Sequence, residues 1–180
     1  MRITKDGACY RGNLPHYRSP GSIYHCRFSL ESMSLTEDWM YSIIEEAILM
    51  QHKKECIIHA YVIMATHSHA IIQPLPKCKD PSAWSDYRMF YPLELITGKI
   101  KGRSARLINQ PLGRSGSLWQ AESFDRTIRN GIDLVNAIDY LHHNPVRWNL
   151  VESPEQYRWS SLRTIYSGEE KYRGWMDGVV

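Results

Sequence analysis

The sequence lacks several features that would place it in common protein classes. No apolar run approaches the roughly 20 residues that a transmembrane helix needs, and the first ten residues are polar and charged, unlike a secretory signal. The four cysteines are widely spaced and form no Cys-x-x-Cys pair, which disfavours a zinc ribbon. We therefore expect a cytoplasmic protein with no membrane partner and with reduced, mostly buried thiols.

Acidic residues are absent from one long segment. The 25 residues from Thr97 to Ala121 contain no Asp or Glu but five cations, namely Lys99, Lys101, Arg103, Arg106 and Arg114. The N-terminal arm is also basic, with five Arg or Lys residues up to Arg27 against a single Asp6. Although the net charge is only +3, two segregated basic stretches indicate a polyanion partner, with a solvated helix face as the ordinary alternative.

The remaining composition is that of an ordinary globular chain. With 180 residues, 43% of them hydrophobic and 23% charged, we expect one soluble domain. Alternation and helical periodicity predict strands over 23–30, 56–64, 68–73 and 123–129, and helices over 34–54, 86–110 and 131–143. A capping box of Ser34 and Glu37 should start the first helix, and Pro145 should stop the last. A turn and a further helix should follow over 146–167.

This order of elements predicts an α+β fold. We expect a ferredoxin-like antiparallel sheet with its helices packed on one face. Residues 1–22, which hold three glycines and two prolines, should form an irregular basic arm.

Two histidines stand near the junction of the second and third predicted strands, in His67-Ser68-His69. Residues two apart on a strand point to the same face, so the two imidazoles could share one divalent metal. By itself His-x-His is a weak signal, because a strand histidine more often packs or hydrogen-bonds.

The last predicted helix carries Tyr140 and, four residues later, Asn144. This spacing puts both side chains on one stripe of the helix. Taken singly, a helix tyrosine is ordinarily a packing residue, and an asparagine before proline is ordinarily a helix C-terminus. His142 and His143 could be metal ligands or phosphate contacts, but they are expected to be solvent-exposed residues without a role, and His25 and His59 are expected to be structural.

Taken together, these motifs resemble the single-tyrosine (HUH) transposases, and within them the REP-associated tyrosine transposases. The resemblance covers about residues 10–165 in the right order. Its blocks are Leu14–Tyr17, His67–His69, Leu118–Gln120, Ser123–Arg129, Asp139–Val146 and Tyr157–Ser161. One departure is Ser68, where the family usually has a bulky apolar residue; its side chain should point away from the histidines, and the core behind the strand could be looser. Another is Ala65-Thr66, where the family often has proline and a polar residue.

The resemblance implies a metal-dependent endonuclease and strand transferase that acts on single-stranded DNA with a REP-like hairpin. Tyr140 would be the nucleophile and form a covalent 5′-phosphotyrosine. His67, His69 and Asn144 would hold Mg²⁺ or Mn²⁺, which suit a mixed nitrogen and amide-oxygen site with open positions. No organic cofactor is expected, and a monomer is favoured over a homodimer. Residues 23–145 would form the catalytic core and 146–180 a C-terminal extension.

The basic residues supply candidate DNA contacts. Arg126 and Arg129, beside the tyrosine helix, could hold the scissile strand. A second group could track the DNA backbone, namely Lys99, Lys101, Arg103, Arg106 and Arg114. Trp119 or Tyr17 could stack on unpaired bases, although Trp119 fits a core position better.

Two other functions remain open from the sequence. One is a non-catalytic or domesticated nucleic-acid-binding protein on the same fold, although such a protein would have no use for the intact set of His67, His69, Tyr140 and Asn144. The other is a metal hydrolase that attacks with water, which would form no protein–DNA adduct.

Overall fold

The computed structural model describes residues 2–4, 7–11 and 15–163, with side chains from Arg18 to Arg163. The N-terminal segment forms a small antiparallel sheet of three strands, β1 (Arg2–Thr4), β2 (Gly7–Arg11) and β3 (Pro15–Arg18). The prediction of an irregular arm is therefore wrong. Strands of three to five residues are too short to show alternation, and only pairing between them satisfies their backbone groups.

The main sheet is built by a βαββαβ repeat. Its elements are β4 (Ile23–Ser29), α1 (Asp38–Leu49), β5 (Cys56–Ile63), β6 (His67–Pro74), α2 (Leu93–Asn109) and β7 (Phe124–Ile128). The strands lie in the order β5-β6-β4-β7, and every neighbouring pair is antiparallel. The predicted α+β fold with a ferredoxin-like antiparallel sheet is thus confirmed.

The two faces of this sheet carry different helices. Tyr24, Cys26 and Phe28 of β4 pack with α1 and α2 in the larger apolar core. The opposite face packs against α3 (Gly131–His142) through a smaller core that includes Ile71 of β6 and Leu141 of α3. The prediction that all helices lie on one face is therefore wrong for α3. Its apolar stripe covers the second face, which would otherwise be open to water.

Three predicted helix boundaries differ from those observed, namely both ends of α1 and the start of α2. Before α1 the chain stays extended because the Leu35 amide donates to the Ala65 carbonyl (2.7 Å), so Glu37 is the N-cap and makes no side-chain cap. The helix ends at Leu49, ahead of a tight turn in which Lys53 has a positive φ of 59°. Two short 3₁₀ turns, Pro81–Ser85 and Tyr87–Met89, precede α2, whose late start follows from the proline at 92.

After α3, a turn at His143 leads into a four-residue helix, α4 (Asn144–Arg147), in which Arg147 donates to the His143 carbonyl and Trp148 to the Asn144 carbonyl. A short 3₁₀ turn follows at Pro154–Gln156, and the last predicted helix is described only as far as residue 163. Among the described helices, none has the length and apolar character to cross a bilayer.

Candidate active site

The two histidines of the His-x-His motif lie on the face of the sheet that α3 covers. They are the first and third residues of β6, so strand alternation turns both toward α3 and turns Ser68 toward the other core. Both are buried, with 4% and 7% of their surface exposed. Their ring centroids are 5.1 Å apart. The predicted pairing of the imidazoles on one face therefore occurs.

Hydrogen bonds engage the same ring nitrogen in both histidines. Nδ1 of His67 is 3.1 Å from the Thr66 hydroxyl, and Nδ1 of His69 is 3.0 Å from Nε2 of His25. These contacts leave the two Nε2 atoms for a metal. Such contacts to the second nitrogen typically fix the tautomer and the ring orientation of a metal-binding histidine.

Burial keeps these imidazoles neutral. Desolvation lowers the pKa of His67 to about 4, with a smaller contribution from the Arg27 charge. Desolvation, followed by the neighbouring His25 and His67, lowers the pKa of His69 to about 3. Neutral imidazole is the form that ligates metal ions. The pair thus stays competent for metal binding well below neutral pH.

Tyr140 faces this histidine cluster from α3. Its ring centroid lies 6.3 Å from that of His25, which in turn hydrogen-bonds His69. The side chain is 43% exposed. The Arg147 guanidinium sits over the Tyr140 ring, 4.4 Å from its centroid. The phenol is therefore beside the imidazoles and open to solvent, and it is not part of the apolar core.

Asn144 is buried one helical turn beyond Tyr140. Its amide nitrogen donates to the carbonyls of Tyr140 (3.0 Å) and Leu141 (3.3 Å). In a regular helix the Leu141 carbonyl would accept from the backbone N–H of residue 145, but Pro145 has no N–H to donate. The Asn144 side chain supplies that hydrogen bond instead. With its nitrogen held by the helix, the amide can offer its oxygen to a ligand.

The side chains available at this site limit how a metal ion could be bound. Across the described part of the chain, no three His, Cys, Asp or Glu side chains are grouped so as to bind a metal ion. A site here would thus use the two imidazoles and the Asn144 oxygen. Mixed nitrogen and oxygen donors with open positions suit Mg²⁺ or Mn²⁺, and the assignment of His67, His69 and Asn144 as metal ligands stays a prediction.

Two arginines stand on strands next to the histidine cluster. Arg126 of β7 is directly opposite His25 of β4, and Arg27 is directly opposite His69 of β6. Both are exposed, as is Arg129 just after β7. The predicted contact Arg126 therefore lies beside the site and Arg27 joins it, while the role of Arg129 stays a prediction.

The predicted cations of residues 99–114 lie elsewhere, because α2, which carries four of the five, packs on the other face of the sheet. Lys99 pairs with Glu55, and Arg103 pairs with Glu46 (3.3 Å). Lys101 donates to the carbonyls at positions 120 and 121, and burial lowers its pKa. Arg114 contacts the Met33 sulfur, while Arg106 is exposed. The structure does not bring this group to the histidines.

Sequence reasoning missed three residues of the site, of which Arg27 was assigned only to the basic N-terminal arm. His25, expected to be structural, connects His69 to Tyr140, although 44 residues separate it from His69. Arg147 follows Tyr140 by seven residues, or two helical turns, and this spacing was the available signal.

The expectation that His142 is solvent-exposed was wrong, whereas the core position favoured for Trp119 is confirmed. His142 is buried and bonds the Ser161 hydroxyl (2.8 Å), and burial lowers its pKa to about 4. Trp119, offered as a stacking surface, is buried and donates to Ser104. The other candidate, Tyr17, has its side chain outside the described residues.

Comparisons with known proteins agree with the motif resemblance. The chain is 27% identical over 171 residues to the Haemophilus influenzae protein named "Putative REP-associated tyrosine transposase". The matched region covers 90% of this chain and 93% of that protein. No family model matches. Among solved structures, the fold is similar to a REP-associated tyrosine transposase bound to a REP hairpin, with a TM-score of 0.65 and 20% identity over 86% of this chain and 82% of that one. The predicted similarity is confirmed along nearly the whole chain.

Proposed function

We propose that this chain is a metal-dependent endonuclease and strand transferase for single-stranded DNA, with Tyr140 as its nucleophile. The observation that carries the proposal is the position of Tyr140, which lies beside His25 and, through it, next to the His67–His69 pair. A protein that only binds DNA has no need of a solvent-open phenol next to two neutral, oriented imidazoles.

The site residues have separate roles in this proposal. Mg²⁺ or Mn²⁺ held by His67, His69 and Asn144 would polarise the scissile phosphate and neutralise the charge that develops on it. His25 holds His69 in orientation through the hydrogen bond to Nδ1. Arg27 and Arg126 give the site a positive rim that attracts the DNA backbone.

Cleavage then follows from the phenol. The Tyr140 oxygen attacks the phosphorus and forms a phosphotyrosine with the 5′ end, while the bond to the 3′ oxygen breaks. The phenolic proton passes to solvent, to which the exposed side chain has access, and the departing 3′ oxygen takes up a proton from water. Because the phosphotyrosine conserves the energy of the broken bond, the 3′-hydroxyl of another strand can reverse the step without ATP.

The relatives suggest the substrate. The similar solved structure contains a REP hairpin, and the similar H. influenzae protein carries the name of the same class. We therefore propose a DNA strand with a REP-like hairpin and an unpaired flank, and DNA transposition as the process that uses the reaction.

The test is to incubate labelled hairpin DNA with the protein and Mn²⁺ and to separate the products on a denaturing gel. We expect a covalent protein–DNA band that requires Mn²⁺, disappears with EDTA and is absent from Tyr140→Phe. Tyr87→Phe is the matched control, since Tyr87 lies in a 3₁₀ turn outside the site, and it should form the adduct normally.

Two results would contradict the proposal. Hairpin binding by the wild-type protein without any adduct would indicate a binding module on the same fold. Metal-dependent cleavage that leaves no adduct and persists in Tyr140→Phe would indicate attack by water.

A further inference from the structure

We propose that Trp148 and Phe124 are stacking surfaces for unpaired nucleobases on the two sides of the histidine pair. The inference rests on the proposed function and adds the residues that grip the bases. Trp148 and Phe124 are 61% and 53% exposed. Single exposed apolar side chains are common on protein surfaces, so the position of these two rings beside a charged site is what argues for a ligand.

Trp148 directly follows α4 and contacts the first histidine of the pair. It follows Asn144 by four residues, and the hydrogen bond from its amide to the Asn144 carbonyl makes this spacing helical. Its ring centroid is 5.9 Å from that of His67. A base stacked on this indole would therefore lie next to the first histidine.

Phe124 stands on the other side of the pair. It is opposite Arg27 on β4, and Arg27 is opposite His69 on β6. Directly opposed residues of a sheet share a face, and neighbouring strands lie about 4.8 Å apart, so Phe124 is about 10 Å across the sheet from His69. The phenyl ring thus projects from the catalytic face beyond the histidines.

The charges on the histidine face of the sheet indicate which kind of ligand would bind between the two rings. Arg27 lies between Phe124 and His69 across the sheet, Arg126 follows Phe124 by two residues on the same face of β7, and Arg147 lies over Tyr140. Exposed aromatic rings interleaved with arginines match a single nucleic-acid strand, whose phosphates pair with the cations while its bases stack on the rings. Exposed apolar side chains of α3, such as Val135, have no such cations beside them in sequence.

The probe is fluorescein-labelled oligothymidylate of 20 nucleotides, compared with the same strand carrying abasic sites. Affinity is measured by fluorescence anisotropy on the full chain in EDTA, so that no cleavage occurs. The variants are Trp148→Ala, Trp148→Phe, Phe124→Ala and Phe124→Leu. Trp84→Ala is the matched control, because Trp84 is 41% exposed but lies in the 3₁₀ turn Pro81–Ser85.

We expect Trp148→Ala and Phe124→Ala each to weaken oligothymidylate binding about tenfold or more, as is usual for the loss of one stacked base. Binding of the abasic strand should change little. Trp148→Phe should recover most of the affinity, whereas Phe124→Leu should not, because leucine is apolar but has no π-face. The salt dependence should stay unchanged, since no phosphate contact is removed.

The inference is overturned if the wild type binds the two strands equally, or if both alanine variants bind like Trp84→Ala. It is also overturned if Trp148→Ala lowers the melting temperature by several degrees and leaves DNA affinity intact, since the indole would then be covered by another part of the chain. Failure of the proposed function looks different: stacking-dependent binding would be present, but no adduct would form with Mn²⁺.

Discussion

Ser68 lies between the two histidines in sequence, yet it belongs to the other face of the sheet. It is fully buried, and its cross-strand neighbours are Phe28 and Ile63, which are also buried. Its hydroxyl has no hydrogen-bond partner. The family resemblance led us to expect looser packing here, and the structure adds an unpaired polar atom.

Replacing Ser68 by alanine should stabilise the protein. A buried hydroxyl without a partner costs about 1–3 kcal/mol, and alanine removes it while leaving a space of only one oxygen atom. We expect a net gain of about 1 kcal/mol, or roughly 2–4 °C in melting temperature for a chain of this size. Thermal unfolding measured by circular dichroism would detect this difference.

Ser104→Ala is the matched control. Ser104 is equally buried, but its hydroxyl donates to the Ile100 carbonyl (2.7 Å) and accepts from the Trp119 indole (3.0 Å). Its removal leaves an indole N–H unpaired and should destabilise the protein by about 1–3 kcal/mol. Opposite signs for the two serines support the argument. A loss of stability of 1 kcal/mol or more in Ser68→Ala would refute it, as would a change in Mn²⁺ affinity.

Three further predictions concern other parts of the molecule. His25→Ala should weaken Mn²⁺ binding about 10- to 100-fold because His69 loses its orienting contact, and unchanged affinity in calorimetry would contradict this role. Asp125→Asn should cost about 3 kcal/mol in denaturant unfolding, since Asp125 accepts two bonds (2.7 and 2.9 Å) from the buried Arg18; a loss below 1 kcal/mol would count against it. Burial lowers the pKa of His59, so below pH about 6.5 the unfolded chain binds a proton that the folded chain does not, and stability falls. His59→Gln should make stability less pH-dependent between pH 7.5 and 5.5, and an unchanged slope would show that this histidine does not contribute.

Local periodicity was enough to predict much of the fold and part of the site. Strand alternation places His67 and His69 on one face and Ser68 on the other, whatever the rest of the chain does. Helical spacing aligns Tyr140 with Asn144 in the same way. These relations hold because they involve neighbours a few residues apart, whose geometry the backbone fixes.

The tertiary structure decided which faces meet. Packing of apolar surface places α3 on the histidine face and α2 on the other, and so separates Tyr140 from the basic residues of α2. Strand register, set by the same packing, brings His25 to His69 and Arg126 to His25. Such contacts join residues far apart in the chain, and no short-range pattern encodes them. The sequence by itself therefore determined which residues could do chemistry, and the folded core determined which of them stand together.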